Sequence, residues 1–418
     1  MLINFGKWRA LEICSLHNNL RRCYQDGLKT NKNRIFAGLC AIGFNSPMYS
    51  AIDHEFMCQA LAEAEKALYL SNPNPRVGCV IVKDGLIIGR GHTQKVGGAH
   101  AEIQALSNAR ENGFDASGST VYVTLEPCAH TGRTPPCVDA LIKARPALVI
   151  AAMSDPNPLV AGRGLERLKT AGIEVRCGLL EAEARALNPG FISRMTRGLP
   201  WVRMKVAASL DGKTALPSGQ SQWITGSLAR ADGHYWRAQA CAILAGVGTV
   251  IEDDPMLNVR EIETERQPWK IIVDSKLATP LDAKVFNHLE QSGAIVVCAN
   301  LDSAQKQAKA KALEMRGVEV VVMANPDGKV DLPKLFSYLA TERQMNEIHV
   351  EAGFKLNGSL LREGCVDELL LYYAPFFMGE GFGMVNLPAL AKINERQEWK
   401  VIDLNLLGAD VRMRLLKK

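Results

Sequence analysis

The sequence predicts an α/β protein built from two consecutive domains. Three observations carry this expectation. Strand-like apolar runs alternate with helical spacing from Val77 to Cys177, the alternation resumes from Trp201 to Leu415, and Thr196-Arg197-Gly198-Leu199-Pro200 breaks the chain between them. At 418 residues the chain also exceeds one average domain. We therefore expect an extension over 1–47, a first domain over 48–196 and a second over 200–418.

Residues 1–47 show no helical or alternating period. They hold Lys7, Arg9, Arg21, Arg22, Lys29, Lys32 and Arg34 against Glu12 and Asp26, and this surplus of +5 equals the formal charge of the whole chain. The rest is neutral, so no basic groove for nucleic acid is expected. An organelle transit peptide would be basic in this way but richer in Ser, and a secretory signal would need a short charged start and a small-residue cleavage site. A dispensable extension is the expectation, with Met48 or Met57 as alternative starts.

From His54 to Leu70, Phe56, Met57, Ala60, Leu61, Ala64 and Leu68 recur at helical spacing. Asn72-Pro73-Asn74-Pro75 turns the chain into a buried strand, Val77 to Val82, and Asp84-Gly85 makes a hairpin to Leu86–Gly89. Gly97-Gly98 ends a loop, and Ala101, Ile103, Ala105 and Leu106 start a helix with His100 in its first turn. Thr120 to Leu125 is a strand that delivers Cys128, and Thr134-Pro135-Pro136 opens a helix on Cys137. Helix (Val138–Lys143), strand (Leu148–Met153), helix (Gly164–Ala171), strand (Ile173–Cys177) and helix (Glu181–Met195) complete this half as a three-layer α/β/α arrangement.

His100, Cys128 and Cys137 predict a zinc site. One His and two Cys are three ligands, the number that leaves a fourth position open for chemistry. A helix N-terminus favours the thiolate that zinc requires. Glu102 stands two residues from His100, too close along a helix to share the metal and well placed to move protons beside it. Each residue singly could be an ordinary buried one. The ordered set H-x-E, P-C and a second Cys at a helix start matches the signature of zinc nucleobase deaminases, apart from eight residues between Cys128 and Cys137 where that signature has two.

Eleven scattered cysteines make no disulfide framework and point to a reducing, cytoplasmic setting. The longest apolar runs, Ile35–Phe44 and Ala240–Ile251, fall short of the roughly 18 residues a membrane span needs. Beyond the breaker, candidate strands are Trp201–Val206, Ile243–Val247, Ile271–Asp274, Ala294–Ala299, Glu319–Met323, Glu347–Glu351, Glu368–Ala374 and Asp410–Leu415. No G-x-G-x-x-G opens this half. Gly246-Val247-Gly248-Thr249 is a weak nucleotide signal, and Glu351-Ala352-Gly353, a strand end before a helix, is a better one.

His100-Ala101-Glu102, the run T-L-E-P-C-A-H-T-G-R-T-P-P-C ending at Cys137, and D-P-N-P-L-V-A-G-R-G from Asp155 to Gly164 resemble the bifunctional deaminase-reductase family of riboflavin biosynthesis, from about Asp53 to the C-terminus. The resemblance implies a zinc cytidine-deaminase-like domain followed by a dihydrofolate-reductase-like domain. It implies zinc-dependent deamination of a phosphoribosylated diaminopyrimidine, then NADPH reduction of its ribosyl group. It places Asn74, His92, His130 and Arg133 in the first substrate pocket. In the second half it assigns Ala207, Trp223, Thr249, Asp253, Ser275 and the loop Gly353, Phe354, Lys355, Leu356, Asn357, Gly358, Ser359 to NADPH. Ser221, Arg237, Leu257, Arg260 and Glu351 would face the phosphoribosyl substrate, with Lys205 lining the site. Arg237 and Arg260 suit phosphate by charge and fork geometry, whereas Trp223 could instead fill the core. A homodimer through the reductase halves, or a higher homo-oligomer, is implied as well.

Two other classes stay open. An editing deaminase acting on tRNA or a free base would share the ligands but not the eight-residue spacer, the neutral body or the second half. A zinc-stabilised scaffold would bind NADPH without consuming it.

Overall fold

The computed structural model describes residues 48–130 and 135–418. The 1–47 extension and Arg133 lie outside the described residues.

The first sheet contains β1 (Gly78–Lys83), β2 (Leu86–His92), β3 (Thr120–Val123), β4 (Leu148–Ala151) and β5 (Glu174–Cys177) in the order β2-β1-β3-β4-β5. β1 is antiparallel to both neighbours, and β3, β4 and β5 run parallel. The central β3 and β4 read as nearly unbroken apolar runs because helices cover both faces, whereas the edge strand β5, Glu174-Val175-Arg176-Cys177, carries two charges. The first helix is Ala51–Glu65, begun by a capping box between Ser50 and Asp53. It starts earlier and stops earlier than its apolar spacing predicts. The helix Ala101–Glu111 lies close on β2 because a Cβ on Gly91 would sit 2.3 Å from the Ala101 carbonyl oxygen. The single helix expected over Glu181–Met195 is two, Glu181–Leu187 and Pro189–Arg197. Pro189 has no N–H to donate and holds Asn188 out of helical geometry (φ −125°, ψ 38°).

The second sheet has nine strands: β6 (Trp201–Ser209), β8 (Ala242–Gly246), β9 (Trp269–Val273), β10 (Ala294–Cys298), β11 (Val318–Val322), β12 (Glu347–Val350), β13 (Glu368–Ala374), β15 (Trp399–Leu407) and β16 (Asp410–Lys417). Their order is β11-β10-β9-β8-β12-β6-β13-β16-β15, and β7 (Lys213–Ala215) pairs with β14 (Phe382–Gly383) in a small ribbon. All eight strands expected here are present. β15 was not expected, because Asp403 and Asn405 are poor strand formers and a bulge at Val401/Asp403 interrupts its alternation. The chain leaves β8 outward through β9, β10 and β11, then returns to β12 beside β8. The carboxyl ends of β8 and β12 therefore flank a topological switch point, where ligands bind in sheets of this kind.

The two halves meet through buried polar groups. Within the first half, Asn188 accepts the Arg76 N–H at 2.7 Å and donates to the Arg76 carbonyl at 2.9 Å, which fixes Arg76 at the junction. Arg76 reaches Glu347 across the junction at 2.7 Å, with both side chains buried. Asn72 donates to the Gln239 carbonyl, and Asn346 donates to Asn72 and to the Pro73 carbonyl. Beyond Glu347 the charges alternate, since Arg203 pairs with Glu347 and Glu368, and Arg414 pairs with Glu368. The Trp236 indole lies against the guanidinium groups of Arg203, Arg412 and Arg414.

Candidate functional site

One edge of the first sheet gathers the carboxyl ends of β2 and β3 with the amino end of β1. His92 lies opposite Gly78 in register, Cys79 lies opposite Val123, and the Thr124 hydroxyl accepts the Gly78 N–H at 3.0 Å. His100 is the N-cap of the helix Ala101–Glu111, and Cys137 is the first residue of the helix Cys137–Ala144. Two helix starts and the end of a strand thus converge. His100 Nδ1 is 3.2 Å from Cys137 Sγ and 3.6 Å from Cys128 Sγ, and the Cys137 N–H donates to Cys128 Sγ at 3.3 Å. Among the described residues these three donors form a cluster in which all ligand atoms lie within 4.8 Å of one another.

The electrostatics of the cluster suit a dication. A hydrogen bond from Cys137, followed by those from His100 and the Cys137 amide, pulls the Cys128 thiol down to about 4 against the opposing effect of burial. Cys137, the donor in that contact, moves up. The hydrogen bond with Cys128 likewise raises His100. Three convergent N and S donors with a thiolate already favoured fit zinc. Glu102 is only 4 % exposed, outside the donor triad, and burial with the negative Cys128 pushes its carboxyl up to about 7. A carboxyl poised there can take and release a proton near neutrality.

Around this centre, Asn74 sits in the turn before β1, with its N–H on the Ser71 carbonyl. His92 Nδ1 is 3.7 Å from the buried Glu63 carboxylate. His130 is exposed. Glu126, which the sequence reading left unused, accepts the backbone N–H groups of Asp155, Gly162, Gly164 and Leu165 and so fixes the loop Asp155–Gly164 beside Cys128. Its sequence signal is a Glu immediately before Pro127-Cys128, with a Gly-rich loop downstream.

The residues assigned to the second site gather around the carboxyl ends of β6, β8 and β12. Gly246 precedes the helix Val247–Asp253 and faces Leu356, while the Thr249 hydroxyl is 4.0 Å from the position of a Cβ on Gly353. Gly353 caps the helix Phe354–Arg362. Of its first turns, Asn357 and Gly358 pack inward against Met384 and Asn386, whereas Gly353 and Lys355 at the N-terminal end are exposed. Ser359 returns its hydroxyl to the Lys355 carbonyl. Ser221 donates to Asp253 at 3.2 Å. Trp223 is 66 % exposed with Arg230 over its ring, which excludes a core-filling role. Ser275, at the end of β9, accepts the Val330 N–H.

Arg237 Nε and Nη2 form a two-bond fork on Glu351 at 2.5 and 2.8 Å, and Nη1 donates to the Asn258 carbonyl at 3.0 Å. That fork is therefore already used by a carboxylate. Arg260, at 52 % side-chain exposure, is only loosely engaged by Asn258 at 3.4 Å and Glu261 at 3.9 Å. Leu257 is buried with φ 46°. Lys205 on β6 lies over the Tyr372 ring at 5.7 Å, and burial lowers its pKa. Fully buried His349 lies under Glu351, at 3.3 Å.

Comparison with known proteins follows this division. The family described as the cytidine and deoxycytidylate deaminase zinc-binding region matches residues 50–153, and the family described as the RibD C-terminal domain matches residues 200–411. The riboflavin biosynthesis protein RibD of Escherichia coli is 43 % identical over 378 residues, spanning 87 % of this chain and 99 % of the relative. That of Aquifex aeolicus is 42 % identical over 364 residues, spanning 87 % and 98 %. The Acinetobacter baumannii RibD structure superposes with a TM-score of 0.80 at 42 % identity, covering 88 % of this chain and 99 % of that one. The Thermotoga maritima diaminohydroxyphosphoribosylaminopyrimidine deaminase/5-amino-6-(5-phosphoribosylamino)uracil reductase gives 0.77 at 33 %, over 88 % and 99 %.

Proposed function

The chain belongs to the RibD family of bifunctional riboflavin-biosynthesis enzymes, a zinc-dependent deaminase joined to an NADPH-dependent reductase, and from that premise we propose which of its residues perform the two reactions. The first substrate is 2,5-diamino-6-(5-phosphoribosylamino)pyrimidin-4(3H)-one, and the second is 5-amino-6-(5-phosphoribosylamino)uracil. The observation that carries the residue assignment is the convergence of His100, Cys128 and Cys137 beside buried Glu102.

His100, Cys128 and Cys137 hold the metal. Zinc, when bound, polarises a water at neutral pH, and NADPH, when bound, supplies the reducing equivalents. Glu102 accepts a proton from the attacking water and returns it to the departing exocyclic amine. Asn74 and His92 orient the pyrimidine, and His130 and Arg133, which lie in sequence between the two Cys ligands, are assigned to its phosphoribosyl arm.

In the reductase, the N-terminal end of the helix Phe354–Arg362 with Thr249 receives the dinucleotide phosphates, a role supported by the switch point between β8 and β12. Ala207, Trp223, Asp253 and Ser275 complete that site. Glu351 is held ionised and oriented by the Arg237 fork against the ribosyl group, beside Ser221, Leu257 and Lys205. Arg260 takes the phosphate, since its guanidinium is exposed and loosely held whereas that of Arg237 is committed to Glu351.

We place the boundary between the two catalytic domains at 196–200, and the enzyme in the cytoplasm as a homodimer that binds neither nucleic acid nor membrane. Support for the dimer comes from β15, an edge strand with Val401, Leu404 and Leu406 exposed. No described helix is long and apolar enough to cross a membrane.

Paired substitutions test the assignment. Glu102→Gln is expected to keep zinc and the reductase activity while deamination falls by about 10²–10⁴. Arg260→Ala is expected to spare deamination and weaken the reductase. Zinc loss in the first variant would make Glu102 a ligand, and loss of both activities in the second would contradict two independent sites.

A further inference from the structure

The loop that carries Arg260 is held in an unusual backbone. It leaves the helix Val247–Asp253 through two non-glycine residues in the left-handed region, Asp254 (φ 41°) and Leu257 (φ 46°). Such conformations persist only where surrounding contacts over-determine them. Here the contacts are explicit. Leu257 is buried, the Asn258 carbonyl accepts Arg237 Nη1, and Val259 is bracketed by Gln267, which accepts its N–H at 2.8 Å and donates to its carbonyl at 3.0 Å. At Arg260 itself, the N–H donates to Nδ1 of His234 at 3.3 Å.

His234 is 4 % exposed and stands three residues before Arg237 on the helix Ser227–Gln239, hence on the same face. To accept from Arg260, its Nδ1 must carry a lone pair, which places the ring proton on Nε2. Its surroundings enforce that state. Burial, then the positive Arg237, Arg260 and Lys205, bring its pKa to about 4 against the opposing pull of Glu351. A protonated ring would offer an N–H to an N–H and release the loop.

We propose that His234 is a positioning residue of the reductase, whose Nδ1 seats the backbone of Arg260 and thereby sets where the Arg260 guanidinium meets the substrate phosphate. This rests on the reading that Arg260 faces that phosphate, and the experiment separates the two. In full-length, zinc-loaded protein, His234→Leu keeps side-chain bulk and removes the acceptor, while His234→Asn keeps an acceptor at the δ position. Steady-state reduction of 5-amino-6-(5-phosphoribosylamino)uracil is measured for H234L, H234N, R260A and R260A/H234L, with NADPH affinity by fluorescence quenching as the control for folding of the reductase half.

H234L is expected to raise KM for the uracil substrate about tenfold with kcat and NADPH affinity little changed. H234N stays close to the parent enzyme, and H234L adds almost nothing to R260A, because it acts through that residue. An unchanged KM in H234L, equal damage in H234N and H234L, or additive effects in the double variant overturns the proposal. If R260A itself leaves KM unchanged, the phosphate reading fails instead. Should H234L lose NADPH binding altogether, a sign of misfolding, H234A takes its place under the same criteria.

Discussion

Arg76→Met tests the junction that ties the two catalytic halves together. Arg76 Nη1 lies 2.7 Å from Glu347 Oε1, with the two side chains 4 % and 3 % exposed. At that separation an effective dielectric of about 20 gives a gross attraction of about 6 kcal/mol, much of it offset by desolvation. Removing one partner of such a buried pair costs about 3–5 kcal/mol, because a charge is left behind. Glu347 would keep Arg203 at 3.5 Å, and the Leu187 and Gln239 carbonyls would lose the Arg76 guanidinium. The lower end of the range, about 3 kcal/mol, is therefore expected for R76M. A chain with two cores need not unfold in one step, so deaminase and reductase activities are followed separately along a urea series. With a slope of about 3 kcal/mol per molar urea, the midpoint should fall by about 1 M. The R76M/E347M pair should recover most of that loss, since apolar side chains replace a buried ion pair at little cost. A loss under about 1 kcal/mol, the worth of an exposed pair, would contradict a buried ion pair at the junction. So would a double variant less stable than R76M.

Other outcomes follow from single contacts. Burial alone pushes the Glu65 carboxyl up from 4.5 to about 7, at a helix end with no basic residue in its last turn. The folded state then holds this proton more tightly than the unfolded one, so the stability it lends is complete below pH 4.5 and is lost as pH rises through about 7, by about 3 kcal/mol in all. Glu65→Gln should melt higher than the parent at about pH 8 and equally at about pH 4.5, and an equal gain at both would contradict this. Gly164→Ala would put a Cβ 2.0 Å from the Pro127 carbonyl oxygen, so bound zinc, measured by metal analysis after dialysis, should drop while reductase activity persists. Cys137→Ser should lose zinc and deamination together and spare NADPH oxidation; retained stoichiometric zinc would remove Cys137 from the ligand set.

How far the sequence went depended on how local each feature is. The cluster of His100, Cys128 and Cys137 was legible because each lies at a helix start or strand end marked by glycine or proline, and the fold brings their ligand atoms within 4.8 Å of one another. The strands of the second half were legible as β-branched runs. β15 was not, because its Asp403 and Asn405 obscure the alternation and its partner comes from the hairpin that follows. The break at Asn188 carried a signal in Pro189, which a helical apolar spacing outweighed. The junction of Arg76, Asn188, Asn346 and Glu347 joins residues more than a hundred positions apart, and nothing local marks such pairs. Glu126 likewise acts through backbone amides far along the chain. The commitment of the Arg237 fork to Glu351 is also a tertiary fact, invisible to a reading that assigns an Arg to phosphate by charge.

The most direct measurement is a mass-spectrometric time course of 2,5-diamino-6-(5-phosphoribosylamino)pyrimidin-4(3H)-one with the zinc-loaded enzyme, with and without NADPH. The expected result is exchange of the amine for oxygen in both reactions, followed by a gain of two hydrogens only where NADPH is present. Substrate that survives in both, or a reduced product that still carries the amine, would contradict two ordered sites on this chain.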